Sequence, residues 1–217
     1  TKLISANAFF NLAIKSTMIS YKTWIHYLKL KIDYGLRHKG YPKRKVSFKE
    51  LDDYFMKKVV TDKLTFLSRH KGRAMTPTLP EKESILLIRK MPLRLYIGDI
   101  VEIKDPEDDN NYLIRRLAAL EGYVMGSIKK NEEDFDLDEG ECWVLSDNLN
   151  VTLKEAKDSR LFGPVPYSSI TGRVIYNLRT QWDHEPFLNC LASRNTDFTV
   201  LDIELDIDSM IKMYRSS

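Results

Sequence analysis

YLIRRLAAL at residues 112–120 and SILLIRK at 84–90 decide the fold of this 217-residue chain. Each is a short run of apolar or alternating side chains, bounded by Gly, Pro, Asp or Asn. Runs of the same kind lie at 100–104 (IVEIK), 142–146 (CWVLS) and 170–178 (ITGRVIYNL). Short apolar segments separated by turn residues are typical of β-strands. We therefore predict a mainly β domain over residues 72–180, in a chain long enough for one core with appendages.

Three boxes in and between these runs carry the functional signal. They read GRAMTPTL (72–79), LIRRLAALEG (113–122) and DSRLFGPVP (158–166), with GDIV (98–101) and SDN (146–148) between them. In this order they resemble the conserved boxes of the type I signal peptidases, most closely the mitochondrial inner-membrane peptidase branch. One box alone would be an ordinary turn, but the shared order extends from residue 72 to about residue 178. The resemblance implies a signal-peptidase-like β domain.

This family cleaves peptides with a serine nucleophile and a lysine general base, and the chain differs at both positions. The resemblance places Ala74 where the serine stands and Arg115 where the lysine stands. Alanine has no nucleophilic atom, and the guanidinium of arginine stays protonated, so it cannot act as a general base. Loss of the nucleophile alone typically costs on the order of a millionfold in turnover. We therefore expect a serine endopeptidase fold that lacks its Ser-Lys dyad.

The resemblance also implies remnants of a peptide-binding cleft. These are Met75, Pro77, Asp158, Ser159 and Arg160. Two nearby positions depart from the family pattern, with Tyr123 in place of an aspartate and Ser146 in place of a glycine. An extended peptide pairs with strand edges through main-chain hydrogen bonds, so the cleft is expected to keep this capacity without the chemistry.

A neighbouring hydroxyl group is the alternative source of a nucleophile. The hydroxyl side chains that flank the first box are Ser68, Thr76, Thr78 and Ser84. Thr76 is only two residues from Ala74, but a shift of two residues moves an attacking atom by several ångströms, whereas reacting atoms must lie roughly 3–3.5 Å apart. Lys71 is near in sequence but does not occupy the family's lysine position. An active peptidase with an unrecognised nucleophile therefore stays open as the less favoured interpretation.

Charge divides the chain unevenly. Residues 1–73 contain 17 Lys or Arg and 5 Asp or Glu, a net charge of +12, whereas the remaining 144 residues carry −9. We interpret residues 1–71 as a basic, mostly helical extension, with a second helix from a capping box at 47–50 to about residue 60. Such a charge favours an anionic partner, either nucleic acid or membrane headgroups. The alternative is a solvated helical extension whose aromatic side chains pack on the β domain.

Several residues of this extension are candidates for contact with RNA or another anionic partner. They are Lys39, Lys43, Arg44, Lys45 and Lys49. Aromatic side chains interleaved with basic ones, such as Tyr21 and Trp24, are available for stacking. No run in the sequence approaches the roughly 20 apolar residues that span a bilayer. We therefore expect no transmembrane helix, and a soluble protein or one with peripheral membrane contact.

Residues 181–217 form an acidic C-terminal extension by composition. The alternation of apolar and acidic residues in VLDIELDID (200–208) predicts a strand with one solvent-exposed face, followed by a short helix over 208–214. Two cysteines without CxxC spacing and four scattered histidines do not predict a metal site, and the sequence contains no glycine-rich phosphate loop. We accordingly predict no metal and no cofactor.

Three functional hypotheses follow. The favoured one is a catalytically inactive, signal-peptidase-like protein that serves as a structural or binding subunit of a large organellar assembly, with the ribosome and its rRNA as the hypothetical partner. The second is an active processing peptidase, and the third is an inactive regulatory partner of an inner-membrane peptidase. The residues ALEG at 119–122, in the second box, resemble the mitochondrial branch and favour mitochondria, in the matrix or at the inner membrane, over plastids.

Overall fold

The computed structural model describes residues 19–37, 62–91, 93–126 and 134–216. Its contacts divide the chain into two compact units, which are described separately below. The larger unit comprises Leu64–Asp197 and Asp206–Ser217. The described residues of the smaller unit are 19–37, 62–63 and 198–205. The predicted boundaries at residues 71 and 180 stay predictions.

The larger unit is built on an antiparallel sheet. Its strands are β1 (Thr65–His70), β2 (Ser84–Lys90), β3 (Ile100–Asp105), β4 (Asp108–Leu120), β7 (Glu141–Leu145), β8 (Val165–Pro166), β9 (Ile170–Leu178) and β10 (His184–Pro186), while β5 (Val124–Met125) and β6 (Phe135–Asp136) form a separate pair. The order across the main sheet is β1-β2-β9-β3-β4-β7-β8, with β10 also paired to β9. The prediction of a mainly β fold is confirmed.

The core explains why these runs form strands. Ile85, Leu86 and Ile88 of β2 are fully buried, which is the continuous apolar pattern of a strand covered on both faces. One apolar cluster joins β2 and β9 to the loop after β1 and contains Met75, Leu79, Leu86, Ile88, Ile100, Ile114 and Val174. A second cluster joins β3, β4, β7, β8 and β9 and contains Val101, Ile103, Leu113, Leu117, Cys142, Val144, Val165 and Ile170.

A glycine allows β2 and β9 to approach closely. A Cβ atom built on Gly172 would lie 2.2 Å from the main-chain oxygen of Arg89, well inside van der Waals contact. The next residue, Arg173, is buried, and its guanidinium donates to the carboxylates of Asp99 and Asp197. Gly172 and Arg173 therefore have structural roles in the sheet.

Helices occupy the loops and the C-terminal part. In chain order they are α1 (Tyr21–Arg37), α2 (Leu153–Ala156), α3 (Ser159–Phe162), α4 (Leu191–Glu204) and α5 (Ile207–Arg215). The predicted strand over 200–208 is wrong, because α4 covers most of it. The alternation is coincidental, since the buried residues Val200, Leu201 and Glu204 follow helical spacing. The expected short helix over 208–214 corresponds to α5.

The described helical residues of the smaller unit belong to α1 and to the second half of α4. Tyr27 of α1 donates its hydroxyl to Glu204 at 2.5 Å, and the Nδ1 atom of His26 lies 3.0 Å from the Thr199 hydroxyl. The expected second helix and the basic residues Lys39, Lys43, Arg44, Lys45 and Lys49 lie outside the described residues. Within the part of the chain that the structure describes, no helix has both the length and the apolar character needed to cross a membrane.

Candidate functional site

The first box forms a tight loop between β1 and β2. Gly72 adopts a φ of 127°, and the amide of Thr76 donates to the carbonyl of Arg73 at 3.1 Å. Ala74 is buried at 8% exposure and Met75 is fully buried in the apolar cluster. The position that the resemblance assigns to the nucleophile, Ala74, therefore carries only a buried methyl group.

A second loop, residues 146–150, is hydrogen-bonded to the first. The amide of Asn148 donates to the carbonyl of Ala74 at 3.0 Å, and the Asn148 side chain donates to Arg73 and to the Thr76 hydroxyl. The adjacent carboxylate of Asp147 accepts two bonds from Arg116, at 2.7 and 2.6 Å, and a further bond from Thr78. The first box is therefore fastened, through this loop, to the strand that carries Arg115.

Arg115 of β4 is a buried cation fixed by main-chain oxygens. Its Nε donates to the carbonyl of Lys157 at 3.0 Å and its Nη1 to the carbonyl of Ile114 at 2.5 Å. Burial lowers the pKa of this guanidinium to about 10, against the attraction of Asp158 and Asp105. Even at that value the group is protonated at neutral pH, so it has no lone pair available to act as a general base.

The third box builds the support under Arg115. Asp158 is fully buried and accepts four hydrogen bonds, three from Arg160 and one from the amide of Ser146. Burial alone would raise the pKa of Asp158, but the bonds from Arg160 and Ser146 outweigh it and lower the pKa. The hydroxyl of Ser159 accepts from the amide of Val144 at 3.0 Å and joins the box to β7. These residues hold the loop that presents the Lys157 carbonyl to Arg115.

Sequence reasoning did not single out His70 at the end of β1. The pKa of His70 is lowered to about 4, mainly by burial and to a lesser extent by the positive charge of Arg115. The imidazole is therefore neutral under physiological conditions. Among the residues that the structure describes, its Nε2 has no hydrogen-bond partner. The hydroxyl of Ser84, which faces it in the β1–β2 register, has none within the same residues. The two side chains are therefore not joined as a nucleophile and its base.

The other flanking hydroxyl groups are engaged in structural bonds. Ser68 donates to Glu102, Thr78 donates to Asp147, and Thr76 donates to the carbonyl of Arg73. A serine or threonine nucleophile needs an adjacent base that accepts its proton. A carbonyl oxygen cannot take a proton at neutral pH, so Thr76 lacks the partner that a nucleophile needs.

The structure brings most of the predicted site residues into one region of the larger unit. Met75, Asp158 and Ser159 are buried within it, whereas Pro77 is exposed at the loop tip. The sequence analysis did not foresee the contacts of Asp147, which lies in the SDN segment, or of Lys157, which directly precedes the third box. Among the described residues, no three His, Cys, Asp or Glu side chains are grouped to hold a metal ion.

Comparisons with known proteins place this site in a family. The mitochondrial ATP-independent inner membrane protease subunit 2 of Arabidopsis thaliana is 42% identical over 205 residues, which cover 92% of this chain and 100% of that protein. Subunit 1b from the same organism is 33% identical, covering 59% of this chain and 77% of its own length. The human mitochondrial inner membrane protease subunit 1 is 30% identical, covering 57% and 74%.

A solved signal peptidase I from Enterococcus faecalis is 21% identical, covers 38% of this chain and 98% of its own, and superposes with a TM-score of 0.29. No family model matches the chain. The boxes assembled in one antiparallel domain define a signal-peptidase-like protein. The extent of the likeness to the Arabidopsis subunit 2 then shows that the chain belongs to the mitochondrial inner membrane protease family. The predicted resemblance and the predicted mitochondrial, inner-membrane-associated location are confirmed.

Proposed function

We propose that this chain is a non-catalytic, peptidase-like subunit of a mitochondrial inner-membrane protease assembly. The observation that carries the proposal is Arg115, a buried guanidinium tied to two main-chain carbonyls at the position that the resemblance assigns to the general base. Ala74, at the position assigned to the nucleophile, supplies no attacking atom. The domain keeps the loops of a peptidase while these two side chains serve packing and hydrogen bonding.

The names of the relatives support a protease assembly as the setting. They are subunits of inner membrane proteases, and nothing in their names concerns RNA or a ribosome. The ribosome and its rRNA are accordingly not part of this proposal, and the assembly is proposed as the partner instead.

The test is peptide cleavage by the purified full chain. A peptide spanning a presequence cleavage site is incubated with the wild-type protein, and hydrolysis is followed by mass spectrometry. We expect no product above the rate without protein. A second sample carries Thr76→Ala, which removes the hydroxyl closest in sequence to Ala74 and leaves Ala74 and Arg115 in place.

Cleavage by the wild type that disappears in Thr76→Ala would overturn the proposal and establish the active-peptidase hypothesis. Membership of the assembly is measured separately, by affinity purification of the tagged chain from detergent-solubilised mitochondria. Recovery of a catalytic inner-membrane protease subunit is the expected result. Recovery with ribosomal particles that is lost on ribonuclease treatment would instead favour the ribosome.

A further inference from the structure

Helix α1 exposes an apolar stripe on the side opposite its packed face. The apolar residues with about half or more of their surface exposed are Tyr21, Trp24, Ile25, Leu28 and Leu36. Their spacing, with half-buried Ile32 between the last two, follows steps of three and four residues, which places them on one face of a helix. Four helical turns therefore carry a continuous apolar surface.

The opposite face of α1 is already occupied. Tyr27 and Tyr34 are buried, and the hydrogen bonds of Tyr27 to Glu204 and of His26 to Thr199 lie on that side. The buried face therefore accounts for the folding of the helix. The stripe residues are half or more exposed, so substitutions there do not remove a fully buried side chain.

The charge of α1 indicates what covers the stripe. The helix contains Lys22, Lys29, Lys31 and Arg37 against the single acid Asp33, which pairs with Arg37 at 2.9 Å. At about 100° per residue, the exposed Lys22 and Lys29 lie along one edge of the stripe. A helix with Trp, Tyr and aliphatic residues on one face and lysines beside them is suited to the boundary between lipid headgroups and acyl chains.

We propose that α1 lies on an anionic lipid surface, with the stripe buried among the headgroups and Lys22 and Lys29 on their phosphates. Five charged residues in 17 make α1 too polar to enter the bilayer core. This docking surface is independent of whether the larger unit cleaves peptides.

The experiment is flotation of the full chain with vesicles. One set contains phosphatidylcholine alone and the other an equimolar mixture with phosphatidylglycerol. The wild type is compared with Ile25→Ser/Leu28→Ser, which interrupts the stripe, and with Lys22→Gln/Lys29→Gln, which removes the flanking charges. Leu149→Ser is the matched control, because it removes an aliphatic side chain that is 84% exposed in a loop of the larger unit. Circular dichroism verifies that each variant keeps its helical content.

We expect the wild type to bind the anionic vesicles, and binding to fall as salt is raised. The double serine variant should bind about tenfold more weakly or worse, since two aliphatic side chains no longer leave water. The glutamine variant should bind anionic vesicles more weakly and with a smaller salt dependence than the wild type, and Leu149→Ser should bind like the wild type.

Failure of the wild type to bind anionic vesicles would overturn the proposal. So would binding that the double serine variant retains in full, because basic residues elsewhere would then account for it. Light scattering identifies the other occupant of the stripe. A concentration-dependent dimer that the serine variant abolishes, without vesicle binding, would assign the stripe to a second copy of the chain.

Discussion

Replacing Asp158 with asparagine tests how the candidate site is supported. Each carboxylate oxygen of Asp158 accepts two bonds. Oδ1 accepts from the amide and Nε of Arg160, while Oδ2 accepts from the amide of Ser146 and Nη2 of Arg160. An asparagine amide retains one oxygen, so in either orientation its NH2 group faces two donors.

Two lost bonds to a charged group, at about 1.5–3 kcal/mol each, predict a loss of roughly 3–6 kcal/mol in the free energy of unfolding. Removal of one partner of a buried ion pair costs a similar amount, about 3–5 kcal/mol. Such a loss is a large fraction of the roughly 5–15 kcal/mol that stabilises an ordinary domain. We expect the urea midpoint of Asp158→Asn to fall accordingly, while Asp136→Asn, at an exposed strand position, unfolds like the wild type.

The effect has a predictable pH dependence. The pKa of Asp158 is lowered in the folded protein, so the folded state binds this proton less readily than the unfolded chain. The stabilisation is therefore complete above the ordinary carboxyl pKa of about 3.9 and is lost as the pH falls through the folded value. The difference between wild type and Asp158→Asn should be larger at pH 7.5 than at pH 3.5. A difference that is independent of pH, or a destabilisation below about 1 kcal/mol, would refute the proposed role of the carboxylate.

Two further predictions concern buried groups of the larger unit. Ser84→Ala removes a buried hydroxyl that has no partner among the described residues, so the free energy of unfolding should rise by about 1 kcal/mol. The exposed comparison is Ser168→Ala, and a decrease in the thermal stability of Ser84→Ala alone would show that the hydroxyl is satisfied. Cys142 is fully buried and burial raises its thiol pKa to about 12, so iodoacetamide at pH 8 should label native protein only at Cys190. Labelling of a folded Cys190→Ser variant would contradict that burial.

The central strands were predictable because a strand that is buried on both faces appears in the sequence as a continuous apolar run. β2 and β9 have the predicted bounds 84–90 and 170–178, since each is apolar through most of its length. β1 was missed, because TFLSRH contains only two strongly apolar residues and is fixed by pairing with β2. α4 was predicted as a strand at its C-terminal end. Asp197 of α4 also forms ion pairs with Arg89 and Arg173, distant contacts that no local sequence pattern reveals.

The residues of the candidate site stay a prediction from the resemblance, and their bonds came only from the structure. The boxes located Ala74, Arg115 and Asp158 by resemblance, and the fold brings their loops into one connected region. The partners of Arg115 depend on the loop conformation at Lys157, a left-handed residue with a φ of 41° that ends α2. Sequence patterns do not specify such a turn when the residue is not glycine.

This loop also explains how the fold accommodates a guanidinium at residue 115. A buried cation costs several kcal/mol in lost hydration unless its donors are bonded and an opposite charge is near. The carbonyl of Lys157 satisfies one donor, while Asp158 and Asp105 attract the charge. Lys157 in turn pairs with Asp105 through its side chain at 3.0 Å. The third box therefore stabilises Arg115 whether or not a peptide is cleaved, so its presence in this chain does not require catalysis. Conversely, a lysine at residue 115 would lack the planar fork that reaches two carbonyls at once, and the Lys157 loop would lose a bond that holds it in place.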